Sequence, residues 1–293
     1  MTEKRKPARL GEEQRRDLRF VHVHDGAVDL ALFPDFLVIG PQRTGSTWLH
    51  RNLARHPQIQ MSEPKELYYF DSIQWPDYRP AHLKDISNDL DWYLRFFAQS
   101  DETVKRRDAE CRRQFDEPYA PLVRGESSAT YAVECEPSII HEMLVLNPAI
   151  KAILLVRHPH ERAWSHMKKD YHMDGGRAVE TISVDDCERF LASEYHRNCG
   201  FFSTMIEKWS ASLPEGSFFI GDFRDVDMRP AALLQRLFRF VGVRDDVKYV
   251  GELANRTICA TPPDPIPPQL KPLLDGVYAE EIARLRELGF TWS

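Results

Sequence analysis

The sequence predicts an α/β fold: a single domain on a doubly wound parallel sheet, carrying a P-loop-like phosphate-binding loop. Three observations predict it. Short apolar runs at 36–39, 151–156 and 217–221 read as strands, and the continuous run 151–156 as one buried on both faces of a parallel sheet. Each strand leads into a helical pattern, and strands alternating with helices imply parallel crossovers. The first run ends in Gly40-Pro41-Gln42-Arg43-Thr44-Gly45-Ser46-Thr47, a glycine-bounded loop that opens a helix. Such a loop presents backbone N–H groups to a phosphate or sulfate.

Residues 1–34 are polar and weakly patterned, so a loosely packed lead-in is expected before a domain spanning 35–293. The first strand covers 36–39, and its helix, 47–56, closes before Pro57. The stretch 58–123 is mixed. Within it, Trp92 over Phe96 and Tyr93 over Phe97 at helical spacing read as core packing. After the strand 151–156, Pro159 opens a helix that places Ala163, Trp164, Met167 and Tyr171 on one face. The strand 217–221 precedes a helix whose Leu233, Leu234, Leu237, Phe238 and Val241 face inward, with Gly242 as its stop. A proline-rich connector, 261–268, leads to a last helix over 270–288.

Composition narrows the function. The 293 residues are 42% hydrophobic and 29% charged, which suits a globular enzyme-sized core. A formal charge of −6 excludes a general nucleic-acid binder, so any anion site must be made locally by a few arginines and amides. Cys111, Cys135, Cys187, Cys199 and Cys259 are scattered without a CxxC pair, which suggests free thiols in a reducing compartment and no zinc site. Residues 1–20 lack the apolar core of a signal peptide, and no run approaches the ~20 residues of a membrane span. A cytoplasmic protein without stable membrane insertion is expected.

The chemistry rests on two constellations. The spacing from Gly40 to Gly45 matches the loop of nucleotide triphosphatases, yet Ser46 stands where their lysine would be. The cation of this loop is Arg43. The loop therefore suits an anion, but not the β- and γ-phosphates and magnesium of ATP. The second constellation, Arg157-His158-Pro159-x-x-Arg162-x-x-Ser165, leaves a buried strand directly. A guanidinium with a hydroxyl two turns on suits a phosphate monoester. Taken alone, Arg157 could equally pair with a carboxylate. Together, two anion sites at the carboxyl ends of two parallel strands fit a nucleotide phosphorylated at both its 5′ and 3′ positions.

On these residues the chain resembles sulfotransferases that use 3′-phosphoadenosine 5′-phosphosulfate (PAPS), over 36–292. Pro41–Thr47 resembles their 5′-phosphosulfate loop and Leu155–Ser165 their 3′-phosphate motif. The resemblance implies the sulfotransferase fold, PAPS as donor and PAP as product. It puts Arg43, Thr44, Gly45, Ser46 and Thr47 around the 5′-phosphosulfate, and Arg157 and Ser165 on the 3′-phosphate. Trp48 anchors the helix or packs near the adenine. Ser62–Asp71 resembles the Glu-x-x-Phe-Phe-Asp segment of the heparan sulfate branch, which implies Glu66 as general base; Glu63 is the alternative. Independently, sulfuryl transfer needs a group to take the acceptor's proton, and a carboxylate beside the donor loop meets that need. Lys65 is a second cation for the transferring group or a solvated surface lysine. Arg124–Tyr131 matches a crevice-lining segment, where Glu126 and Tyr131 contact the acceptor or Glu126 holds Arg43.

Two departures stand out. Arg43 replaces the family's frequent lysine, and the Arg-Lys-Gly element that closes over the 3′-phosphate is absent, leaving Arg256 as the nearest substitute. The expected reaction moves a sulfuryl group to a hydroxyl, less readily an amine, of a small-molecule or saccharide acceptor, without a metal. The segment 73–121 would shape the acceptor pocket. The rival readings are an ATP-dependent kinase with an aberrant loop and a non-catalytic nucleotide-binding protein.

Overall fold

In the computed structural model, which describes residues 10–24, 28–76, 85–256, 258 and 261–292, the strand Phe36–Gly40 (β1) lies at the centre of the sheet and is buried throughout. Lys151–Val156 (β4) pairs with it on one side and Val123–Ser127 (β3) on the other. Ile59–Met61 (β2) adds beyond β3, and Phe218–Asp222 (β5) beyond β4. The five strands are parallel in the order β2-β3-β1-β4-β5. The chain fills one side of β1 before crossing to the other, so the sheet's switch point, where ligands bind, falls at the carboxyl end of β1.

Alternation along the strands explains the two layers. Leu37 and Ile39 of β1, with Ala152, Leu154 and Val156 of β4, pack on one face against the helices Pro137–Leu146 and Phe202–Ser212. Phe36, Val38, Ile153 and Leu155 face the other way, onto the helices Ser46–Leu53 and Pro230–Val241. Full burial of such a side chain is worth about 1.5–3 kcal/mol, so both faces of each strand hold it in place. The inward residues of Pro230–Val241 are those the periodicity marks, and Gly242 ends that helix at φ 89°. A third cluster joins Trp164 and Met167 to Phe190, Leu274 and Tyr278.

Three parts of the chain differ from expectation. Among the described residues before Pro34, the lead-in is packed: Val21, Leu30 and Phe33 are buried in the first core layer. The buried carboxylate of Glu142 accepts the backbone N–H groups of Arg19, Phe20 and Val21 at 2.7, 3.0 and 2.9 Å. A tether made by backbone groups leaves no periodicity in the side chains. Second, β2 is too short to show alternation. Third, the helix Asp101–Phe115 buries just Cys111 and Phe115, so its apolar stripe is too thin to read. The aromatic stripe packs as expected, with Trp92–Phe96 and Tyr93–Phe97 centroids 5.0 and 5.3 Å apart. Residues 77–84 of the expected acceptor-pocket segment, and Cys259, lie outside the described residues.

Two carboxylates are sealed where the sheet meets these layers. Burial pushes Glu126 up to about 7, with the Asp71 charge adding to the rise, and pushes Asp71 up to about 6, with the Glu66 charge adding to it. Ser128, Tyr93 and Tyr131 hydrogen-bond to Glu126 and oppose part of that rise.

Two outcomes are expected. The folded state holds the Glu126 proton more tightly than the unfolded chain, so this stabilisation is complete at low pH and is lost as pH rises through about 7. Glu126→Gln removes the titration. The melting temperature of the variant minus that of the native protein should grow by about 2 °C or more from pH 5.5 to pH 8, and a constant difference would contradict the burial argument. Gly40 has φ 93°, and a Cβ there would lie 2.1 Å from the Ala129 carbonyl oxygen. Gly40→Ala should therefore cost about 3 kcal/mol or more in urea unfolding.

Candidate active site

The loop after β1 is shaped by left-handed residues. Gly45, at φ 84°, caps the helix Ser46–Leu53 without a side-chain bond, which leaves the first-turn N–H groups to face the crevice. Arg43 also has positive φ, 71°, a conformation costly for a residue with a side chain. Contacts from the second constellation hold it there. Arg157 Nη1 donates to the Arg43 carbonyl at 3.0 Å, and Arg43 Nε donates to Ser165 Oγ at 3.0 Å. Thr44 Oγ1 braces the loop from within by donating to the Pro41 carbonyl at 2.7 Å.

These residues line one cleft of about 340 Å³. Arg43, Gly45, Ser46, Thr47 and Trp48 come from the loop and its helix, and Arg157 and Ser165 from the strand-end motif. Burial pushes the Arg157 guanidinium down to about 10, with Arg43 and Arg162 adding to the shift and Glu161 opposing it, so it remains a cation at neutral pH. It stacks on Phe223, 4.5 Å from the ring centroid. The carboxylate considered as its alternative partner is Glu161, at 3.7 Å and well exposed. A solvated ion pair of that length is weak. The cleft therefore concentrates positive charge in a partly dry place, where a multiply charged anion is the natural complement.

Several expected residues serve otherwise or lie elsewhere. Trp48 is buried and donates Nε1–H to the Ala254 carbonyl at 3.1 Å, which is the anchoring role. The Thr44 hydroxyl spends its proton on Pro41 and does not line the cleft. Arg256 is no substitute for a closing element: its side chain is 69% exposed and points toward Glu252 at 3.9 Å. Instead Thr261 and Pro263 of the proline-rich connector line the cleft, with Thr261 Oγ1 at 3.4 Å from Ser165 Oγ. Lys168 and Trp164 hold that connector through the Asp264 carbonyl at 3.1 and 2.9 Å. Sequence reasoning missed Phe223, Val226 and Asp227 as well; they follow β5, and the strand-end rule applied there would have found them.

Glu126 and Tyr131 are fully buried and face each other, so neither contacts an acceptor and Glu126 does not hold Arg43. They lie beneath the segment of Lys65 and Glu66. Glu66 has φ 65°, pairs with the Lys65 ammonium, and accepts a hydrogen bond from the Tyr68 hydroxyl. Its N–H donates to the Ser127 carbonyl at 2.9 Å, which ties it to the end of β3, the strand beside β1. His50, one turn into the loop helix, feels both charges: burial and Lys65 push its imidazole down, Glu66 opposes, and it settles at about 4. The carboxylate thus stands beside the loop helix without lining the nucleotide-sized cleft. Glu63 is exposed.

Among the described residues, His166, Asp170 and His196 bring ligand atoms within 4.8 Å of one another. Arg162 Nη1 lies 3.1 Å from His166 Nδ1 and, having only protons to offer, makes that nitrogen the acceptor. The Nε2 that faces Asp170 at 3.8 Å then carries the proton of the neutral ring and has no lone pair to offer a metal.

The sulfotransferase family model matches residues 34–246. The bifunctional heparan sulfate N-deacetylase/N-sulfotransferase 2 of Homo sapiens is 25% identical over 234 residues, covering 75% of this chain and 23% of that protein. The corresponding enzyme of Drosophila melanogaster is 26% identical over 248 residues, covering 81% of this chain and 22% of its own length. The chain thus spans about a quarter of the length of these relatives. Among solved structures, a sulfotransferase from Alicyclobacillus acidocaldarius superposes with a TM-score of 0.63 at 20% identity, over 87% of this chain and 95% of that one, and shares the fold. No helix among the described residues is long and apolar enough to cross a membrane. With the strand-end cleft at its switch point and the family model matched across its sheet, the chain belongs to the sulfotransferase family, whose general reaction moves a sulfuryl group from PAPS to an acceptor.

Proposed function

We propose that this chain transfers the sulfuryl group of PAPS to a hydroxyl or amine of a saccharide or small-molecule acceptor, with Glu66 taking the acceptor's proton. One observation carries the reading: Arg43, Arg157 and Ser165, from two neighbouring strand ends, are hydrogen-bonded into a single cleft with the loop amides. PAPS supplies an activated sulfuryl group on a nucleotide bearing a second phosphate. Arg43, Ser46, Thr47 and the amides of the helix N-terminus would hold its 5′ end, and Arg157 and Ser165 its 3′-phosphate. Catalysis then consists of positioning and of donors aimed at oxygens that gain charge, as in phosphoryl transfer.

Lys65 and Tyr68, both bonded to the Glu66 carboxylate, would orient it toward the acceptor. Burial and the Glu66 charge push the Tyr68 hydroxyl up, so it stays a donor. The saccharide class is supported by the heparan sulfate N-sulfotransferases among the relatives. The segment 73–121 is proposed to shape the acceptor pocket. A cytoplasmic setting is supported by four free, buried cysteines among the described residues.

Calorimetry with PAP against ATP, followed by a labelled-PAPS screen of saccharide and phenolic acceptors, tests the proposal. PAP should bind and ATP should not compete; ATP turnover with magnesium, or PAP binding without any transfer, would overturn it. Arg43→Ala and Arg157→Ala should each weaken PAP binding by about 10-fold or more. Glu66→Gln should leave PAP affinity within about two-fold while kcat falls ~10²-fold or more, the scale of a general base. An equal loss of PAP affinity in all three variants would make Glu66 structural.

A further inference from the structure

The base segment has little regular structure to hold it. Glu66 and Tyr68 sit at φ 65° and 52°, and a free chain would leave that region readily. Their support comes from the far end of β3. Tyr68 N–H donates to Ser128 Oγ at 3.1 Å, and the N–H groups of Tyr69 and Phe70 both donate to the Tyr131 hydroxyl oxygen, at 3.0 and 3.4 Å. A hydroxyl can accept only on the side away from its own proton. Both of these hydroxyls therefore need somewhere to send it.

Glu126 is that place. Its carboxylate, fully buried, takes the Ser128 proton at 2.5 Å and the Tyr131 proton at 3.0 Å on Oε1, while the Tyr93 hydroxyl donates to Oε2 at 2.5 Å. We infer that Glu126 is a positioning residue for the transfer reaction: by accepting the protons of Ser128 and Tyr131, it turns their lone pairs onto the amides of residues 68–70 and so fixes where Glu66 stands. The inference rests on Glu66 being the base. It assigns one serine hydroxyl, one tyrosine hydroxyl and one acid, all three buried, to a single task. Glu126, Ser128 and Tyr131 are also absent from the lining of the nucleotide cleft. Their loss should therefore reach turnover and spare the nucleotide.

The test compares Glu126→Ala, Ser128→Ala, Tyr131→Phe and Glu126→Gln with the native protein in three measurements. These are amide hydrogen exchange over residues 64–72, calorimetry with PAP, and labelled-PAPS turnover on the acceptor that the native enzyme uses. In the first three variants, exchange at 68–70 should quicken by about 10-fold or more and kcat should fall by roughly 10- to 100-fold, with PAP affinity within about two-fold. Glu126→Gln keeps one oxygen for Ser128 and Tyr131 and can turn its amide to the Tyr93 oxygen, so it should restore most of kcat. Unchanged exchange in Ser128→Ala and Tyr131→Phe, which remove no more than a hydroxyl, overturns the inference even where Glu126→Ala does not fold. A parallel loss of PAP affinity and turnover, or no rescue by Glu126→Gln, also overturns it. Quickened exchange with full kcat in Glu66→Gln would instead refute the base assignment and leave the anchoring intact.

Discussion

The hydrogen bond from the Arg157 guanidinium to the Arg43 carbonyl is the constraint on which this molecule depends. It joins the ends of β1 and β4, the central pair of the sheet, and it does so through a residue that the loop forces into a left-handed conformation. Arg43 completes the connection with its own side chain, on Ser165. Each motif is therefore a structural support for the other. A cationic loop without that cross-connection would lose its shape to solvation, since like charges sharing a partly dry cleft repel.

The sheet acts as a ruler for the chemistry. β1 presents the loop, β4 presents Arg157, and β3 with the turn that follows it presents the Ser127 carbonyl and the Ser128 and Tyr131 hydroxyls that carry the Glu66 segment. Three adjacent parallel strands thus place an arginine-lined cleft and the Glu66 carboxylate side by side, at spacings set by strand separation rather than by loop flexibility. This division also separates the energetics. Charge complementarity governs the cleft, whereas a buried network of hydroxyls around one acid governs the Glu66 segment.

The sequence was most legible where a local pattern coincides with a physical need. The strand ends, the glycine-bounded loop, the motif from Arg157 to Ser165 and the Gly242 stop all carry short-range signals, and the structure places them as read. It was least legible where a role depends on what a side chain meets across the fold. Arg256 and Thr261 are near neighbours in sequence, yet the arginine turns to solvent and the threonine lines the cleft. Polarity alone favours the wrong one. Residues 19–21 likewise give no sign that a glutamate more than a hundred residues away takes their amides.

By itself, the sequence determined that this chain would build a parallel sheet with two arginine-bearing strand ends, because periodicity and glycine placement are local properties of the backbone. Only the tertiary structure decided that Glu126 and Tyr131 are buried supports rather than acceptor contacts. That outcome follows from desolvation: a carboxylate at a strand end can face the crevice or the core, and the core becomes tolerable here because Tyr93, from a distant part of the chain, joins the nearby Ser128 and Tyr131 as a hydroxyl donor.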